Sequence, residues 1–146
     1  MKIEFLQDPN ETDVKLLVVS AERNEEVSRV IGELERTYLR LLNGYEGDRV
    51  VPLSPSEILR VYAERQRVYC QTSTGNYLLH ARLYEIEQWL DPSQFVRISK
   101  CELINKAKIV RLDVSLSGTV GVILEGNVKT YTSRRFVAGI KAMFGL

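Results

Sequence analysis

The sequence predicts a mainly β fold of antiparallel strands with short helices, preceded by a small α/β unit. Three observations predict it. From residue 50 onward, short runs rich in Val, Ile, Tyr and Thr alternate with turn formers, the rhythm of hairpin-connected strands. Before residue 45, one stretch carries apolar residues at three- and four-residue spacing, the period of an amphipathic helix. Charge divides at the same place: residues 1–46 hold 6 Lys/Arg against 10 Asp/Glu, and residues 47–146 hold 14 against 9.

A chain of 146 residues, 45% of them apolar, can build one ordinary domain or two small ones. Its formal charge of +1 conceals −4 followed by +5. The basic segment is compatible with nucleic acid, anionic lipid or an acidic protein, and by itself chooses none of them. Cys70 and Cys101 lack CxxC spacing, and the N-terminus has no long apolar core of a signal peptide. A reduced, cytoplasmic protein is expected, with both thiols as small core residues. No stretch approaches the roughly 18 consecutive apolar residues needed to span a bilayer.

In order, KIEFL (2–6) alternates weakly, QDPNETD is dense in turn formers, and VKLLVVS (14–20) reads as a largely buried strand. Val27, Val30, Ile31, Leu34, Tyr38, Leu41 and Leu42 then predict an amphipathic helix over about 23–43, stopped by Asn43-Gly44. Arg29, Glu33, Glu35, Arg36 and Arg40 fall on its solvent face. Two strands and one helix make a thin core, so residues 1–45 must pack on the rest of the chain or on a second subunit, and dimerisation is the expectation. YEGDR (45–49) reads as a linker or short turn. Val50-Val51 and Ile58–Ala63 read as strands around a one-turn helix start at Ser54-Pro55. Arg65-Gln66-Arg67 interrupts before VYCQTS, and Thr74-Gly75-Asn76 turns into YLLHA. Arg82–Leu90 is a short helix with Leu83, Ile86 and Leu90 on one side, ended by Asp91-Pro92. Beyond it come a turn at Ser117-Gly118 and a hairpin about Gly126-Asn127, with Val120, Val122 and Leu124 facing one way. A last helix, Arg135–Phe144, sets Phe136, Ile140 and Phe144 along one face.

Catalytic motifs have little support. His80, the one histidine, sits at an apolar strand end and reads as a structural or surface residue. Neither a P-loop nor a GxGxxG before a helix is present, no cofactor is implied, and two distant cysteines with one histidine make a poor zinc set. Scattered acids such as Glu102 and Asp113 are a weak reason to invoke hydrolysis. The basic loops are more informative: Arg65 and Arg67 between strands, Lys100 at a bend after Ser99, and Ser133, Arg134 and Arg135 at the final strand-to-helix junction. Lys and Arg at such places suit phosphates and guanine edges, and Ser133 could cap the last helix. Spacing alone leaves five separate surface charges as the alternative.

FVRISKCELINKAKIVRL (95–112), followed by YTSRRFV (131–137), resembles the blocks of the LytTR DNA-binding domain, and YAERQRVYCQTSTGNYLLHARLYEIEQWL (62–90) has the same family's strand, turn, strand and short-helix rhythm. The resemblance covers about 50–146. It implies an elongated, almost all-β domain whose interstrand loops enter successive major grooves of duplex DNA, rather than a helix-turn-helix. Carried onto this chain, it implies DNA contacts at Arg65, Gln66 and Arg67, at Lys100 and at Arg135, with Ser133 and Arg134 as flanking phosphate contacts. Two features bear on this: Ser99-Lys100 stands where His or Arg is common, and the first loop offers Arg65-Gln66-Arg67, a set able to read guanine or adenine. Phe95, Ile98, Leu103, Ile104, Ile109 and Leu112 are expected in the core, and Asn105 is expected to fasten a turn.

The resulting expectation is an acidic unit at 1–45 joined to a DNA-binding domain at 46–146. Such a protein would bind promoter DNA as a homodimer on direct or imperfect repeats, regulate transcription, and answer to a regulatory membrane or cytoplasmic protein partner. A protein-interaction module on a LytTR-like scaffold, without specific DNA binding, is the alternative.

Overall fold

A computed structural model of the chain describes residues 1–12, 14–38, 42–114 and 118–146. Its first regular element is α1 (Glu25–Tyr38), begun by Asn24, whose side-chain Oδ1 accepts the Val27 N–H at 3.0 Å. Ten strands and two further helices follow: β1 (Leu42–Glu46), β2 (Arg49–Leu53), β3 (Ile58–Glu64), β4 (Arg67–Thr72), β5 (Gly75–Leu79), α2 (Leu83–Trp89), β6 (Phe95–Ser99), β7 (Glu102–Asn105), β8 (Ile109–Val114), β9 (Val120–Leu124), β10 (Val128–Thr132) and α3 (Arg134–Met143). They form a seven-stranded sheet in the order β2-β1-β5-β4-β3-β7-β6 and a three-stranded sheet in the order β10-β9-β8. Every pairing is antiparallel.

Apolar alternation sorts the strands into two cores. Val61, Val68, Cys70, Tyr77 and Leu79 join Leu83, Ile86 and Leu90 of the α2 region in the first. Leu59, Ile98, Val120, Val122 and Leu124 join Ile140 of α3 in the second. Strand β7 is the partition between them, since Leu103 belongs to the first core and Ile104 to the second. A strand buried on both faces loses the polar alternation of a surface strand, and β7 is buried at all four positions. Strand β9 is likewise buried throughout, so Ile123 is covered as well as the predicted Val120, Val122 and Leu124. Glu102 ties the sheets together: it accepts from Arg60 Nη1 at 3.1 Å on β3 and from Thr130 Oγ1 at 2.7 Å on β10. Its carboxylate is thus engaged structurally, and Asp113 is held separately by Arg111.

Most short strands, α2 and the β9–β10 hairpin lie where the residues predict. Phe95, Ile98, Leu103 and Ile104 are buried, while Ile109 and Leu112 are half-buried against the second core. Asn105 fastens its turn as expected, accepting from Ala107 N–H at 3.1 Å and donating to the Ile58 carbonyl at 2.9 Å. Its amide has both of its polar ends satisfied, which explains its burial.

Several expectations need correction. Residues 14–20 belong to neither sheet, and Leu17 and Val19 are 84% and 82% exposed. Strand composition describes what a segment would bury, and within this single chain no sheet edge receives it. The helix predicted to reach residue 43 gives way to β1, because Leu42 faces Leu53 across the β1–β2 ladder and enters the first core. Arg40 and Leu41 lie outside the described residues, as does Ser117 of the predicted Ser117-Gly118 turn. Glu35 is not a bare solvent charge, for it accepts hydrogen bonds from Ser54 Oγ at 2.8 Å and Ser56 Oγ at 2.9 Å. Cys70 is a core thiol, pushed by burial up to about 12, but Cys101 is exposed on the turn between β6 and β7. Phe144 is half-exposed, and α3 docks instead through Ile140, Val137 and Met143.

Gly44 shows how closely β1 packs. A Cβ there would meet Leu53 Cδ1 and Tyr77 Cβ at 2.7 Å each. Gly44→Ala is expected to lower unfolding stability by about 1–3 kcal/mol, measured by urea titration, because Tyr77 Cβ is fixed to its strand and Leu53 is buried in the core with little room to yield.

Candidate nucleic-acid interface

Three turns carry the predicted site residues, and each has a local cause. Arg65 and Gln66 take positive φ, 49° and 64°, at the two-residue connection of β3 to β4. Two successive left-handed residues match the twist of a tight hairpin, so their side chains stand off the end of the ladder. Arg67 opens β4 beside them, and all three residues are exposed. Lys100 occupies the β6–β7 turn, where Ser99 Oγ accepts the Cys101 N–H at 3.1 Å. Ser133 precedes α3, with Arg134 and Arg135 as its first two helical residues.

Two backbone hydrogen bonds gather these turns. Ala63 N–H donates to the Cys101 carbonyl at 2.8 Å, joining the β3–β4 hairpin to the β6–β7 turn. Ser133 N–H donates to the Ile98 carbonyl at 2.9 Å, joining the β10–α3 junction to the strand that leads into that turn. Arg65, Lys100, Arg134 and Arg135 each lie within two residues of one of these bonds, a stretch of chain that spans at most about 7 Å, and Arg67 stands opposite Glu64, the neighbour of Ala63, across the hairpin. A β-bulge between Arg97 and Ser99, opposite Leu103 and Glu102, redirects β6 at this place.

The charges here differ from four other basic residues of the sheets. Arg60, Arg97, Lys108 and Arg111 are in ion pairs with Glu102, Glu87, Glu125 and Asp113. Among the described residues, none of Arg65, Arg67, Lys100, Arg134 and Arg135 is held in one. Arg135 instead lies over the Phe136 ring, 5.8 Å from its centroid. Ser133 takes the N-cap position but makes no side-chain capping bond, contrary to the expected role, so its hydroxyl is not committed to the helix. An uncommitted hydroxyl, exposed guanidinium groups and a helix N-terminus form an electropositive surface suited to phosphate oxygens.

Beside this surface, Arg60 Cζ sits 4.4 Å from the Tyr62 ring centroid, and Tyr62 stacks on Tyr69. Burial raises the Tyr62 phenol above its ordinary range, with the Arg60 cation opposing the shift. Asp91, at the end of α2, is held below the usual carboxylate range by the hydroxyl and backbone N–H of Ser93. His80 is exposed and stacked on Tyr45, a surface histidine as expected. Among the described residues, no group of three or more His, Cys, Asp or Glu could hold a metal, and no helix is long and apolar enough to cross a membrane.

The family model of the LytTr DNA-binding domain matches residues 48–145. The chain belongs to the LytTR family. Over 144 residues it is 31% identical to an uncharacterized HTH-type transcriptional regulator of Staphylococcus aureus strain MRSA252, covering 97% of this chain and 96% of the relative. A regulator of the same description from strain NCTC 8325 / PS 47 is 30% identical over the same length. A LytTr DNA-binding domain from Bacillus cereus shares the fold at a TM-score of 0.69 and 15% identity, covering 73% of this chain and 97% of the other. Although those relatives are called HTH-type, the described LytTR chain has no helix-turn-helix, since five strands separate α1 from α2 and another five separate α2 from α3. Residues that the sequence left unassigned in this LytTR surface are Arg97 and Glu87, whose contact joins a strand to a helix. A spacing of ten residues across two elements carries no periodic signal.

Proposed function

We propose that this LytTR chain binds duplex promoter DNA sequence-specifically through its three gathered turns and thereby regulates transcription in the cytoplasm. Arg65, Gln66 and Arg67 form one reading turn, Lys100 a second, and Arg135 the third, with Ser133 and Arg134 on flanking phosphates. The observation that carries this reading is the pair of backbone bonds, Ala63 to Cys101 and Ser133 to Ile98, which tie together three turns whose cations have no ion-pair partner among the described residues. A rigid sheet beneath such turns fixes their relative positions before DNA arrives, which reduces the ordering cost of binding. Lys100 supplies a point charge rather than an Arg fork, so its role is phosphate anchoring. Lys100→Ala is accordingly expected to reduce the slope of log affinity against log salt by about 0.9, one phosphate's worth. An unchanged slope in an anisotropy titration would show that Lys100 points away from the backbone.

The N-terminal residues 1–45 serve, in this proposal, as the acidic dimerisation unit of a DNA-binding domain at 46–146. Support comes from the exposed Ile3, Phe5, Leu6, Leu16, Leu17 and Val19, an apolar set that the monomer leaves uncovered. Two linked domains on repeated half-sites gain affinity through effective concentration without new contacts. Because Leu42 belongs to the first core, the informative truncation removes residues 1–38 and keeps β1. It is expected to give monomers by light scattering with weaker DNA binding, and a truncated chain that still dimerises would contradict the assignment. A regulatory membrane or cytoplasmic protein is the proposed source of control.

A further inference from the structure

The Lys100 turn is held from one side by a single arginine. Arg97 Nη1 donates to the Lys100 carbonyl at 2.7 Å, while its Nε donates to Glu87 Oε2 at 2.7 Å and its Nη2 reaches the same oxygen at 2.5 Å. The planar guanidinium makes this possible, because its donors point to two sides at once, as a lysine ammonium on a flexible stem cannot arrange. Glu87 is itself positioned by packing: α2 is anchored through Leu83, Ile86 and Leu90 in the first core. Arg97 stands immediately before the β6 bulge, and the next residue, Ile98, is fully buried in the second core and accepts the Ser133 N–H. One short segment thus connects α2, the Lys100 turn and the β10–α3 junction.

We infer that Glu87 and Arg97 are positioning residues of the DNA surface, a clamp from α2 that fixes the direction in which the β6–β7 turn presents Lys100. This inference rests on the proposed DNA-binding function. It assigns Arg97 no contact with DNA: its guanidinium is committed to Glu87 and to a carbonyl, and its side chain is only 21% exposed. Without the clamp, the turn retains the Ser99–Cys101 bond and the Ala63–Cys101 bond but loses the hold on the Lys100 carbonyl itself. Lys100 then samples several directions, and its charge is no longer delivered to one phosphate.

The test uses the full chain and two readouts. Hydrogen exchange of residues 99–101, followed without DNA, should accelerate in Arg97→Lys and in the milder Glu87→Gln, while exchange in β4 and β9 stays as in the parent. Unaltered exchange at 99–101 in both variants would overturn the clamp whatever happens with DNA. With a fluorescent duplex of the gene's own upstream sequence, Arg97→Lys should weaken binding about threefold to tenfold in the parent and have little further effect in a Lys100→Ala background. Equal weakening in both backgrounds would make Arg97 a general structural residue and overturn the positioning role. A parent protein that fails to prefer this duplex over unrelated DNA would instead sink the DNA reading, leaving the exchange result to judge the clamp's mechanical part alone.

Discussion

Replacing Arg135 by alanine is expected to weaken binding to the specific duplex by about 1–3 kcal/mol, the size of one good bidentate contact to a base edge. Thermal stability should hardly change, because Arg135 is exposed and outside any ion pair among the described residues. What is lost is a planar fork at the first turn of α3, two residues beyond the Ser133–Ile98 bond that fixes its backbone. The loss should fall mainly on the preferred sequence, so affinity for unrelated duplex changes less and the specificity ratio drops. Equilibrium titration of both duplexes at one salt concentration measures this, and an unchanged curve for the preferred duplex would remove Arg135 from the contact surface.

The largest stability effect is expected at the partition strand. Ile104 is fully buried in the second core, on the strand whose neighbouring Leu103 fills the first. Ile104→Ala should cost about 2–5 kcal/mol, the sum of lost transfer energy and the cavity left where a strand held on both faces cannot relax. Urea unfolding checks the value. Since β7 also carries Glu102, which bonds Arg60 and Thr130 in the two sheets, the damage should reach DNA binding indirectly through the relative placement of the turns. Stability unchanged within a few tenths of a kcal/mol would contradict the role given to β7.

Where local chemistry decided the structure, the residues were legible. Arg65-Gln66 between two β-rich runs, the Gly126-Asn127 hairpin, Asn105 at its turn and the Leu83, Ile86, Leu90 stripe all follow from short-range preferences. Misreadings arose where a distant partner decided. Leu42 continues the helical spacing of Val27 to Leu34, yet its pairing with Leu53 makes it a strand residue. Residues 14–20 have the composition of a buried strand, and no edge in the monomer takes them up. The face of α3 that docks is Val137, Ile140 and Met143 rather than Phe136, Ile140 and Phe144, because the sheet beneath a short helix selects which stripe it buries. At the candidate site, individual basic residues stood out in sequence, but their gathering depends on the Ala63–Cys101 and Ser133–Ile98 bonds between segments more than thirty residues apart, and the hold of Arg97 on Lys100 has no signature in spacing.

The most direct measurement is a competition titration of the full chain on a labelled duplex from its own upstream region, against unlabelled duplex of the same length and scrambled sequence, at several salt concentrations. Selective binding is expected, with a preference on the order of a thousandfold or more and an affinity that falls steeply with salt. Weak and equal binding to both duplexes at every salt concentration would contradict it and favour a LytTR scaffold used to bind protein.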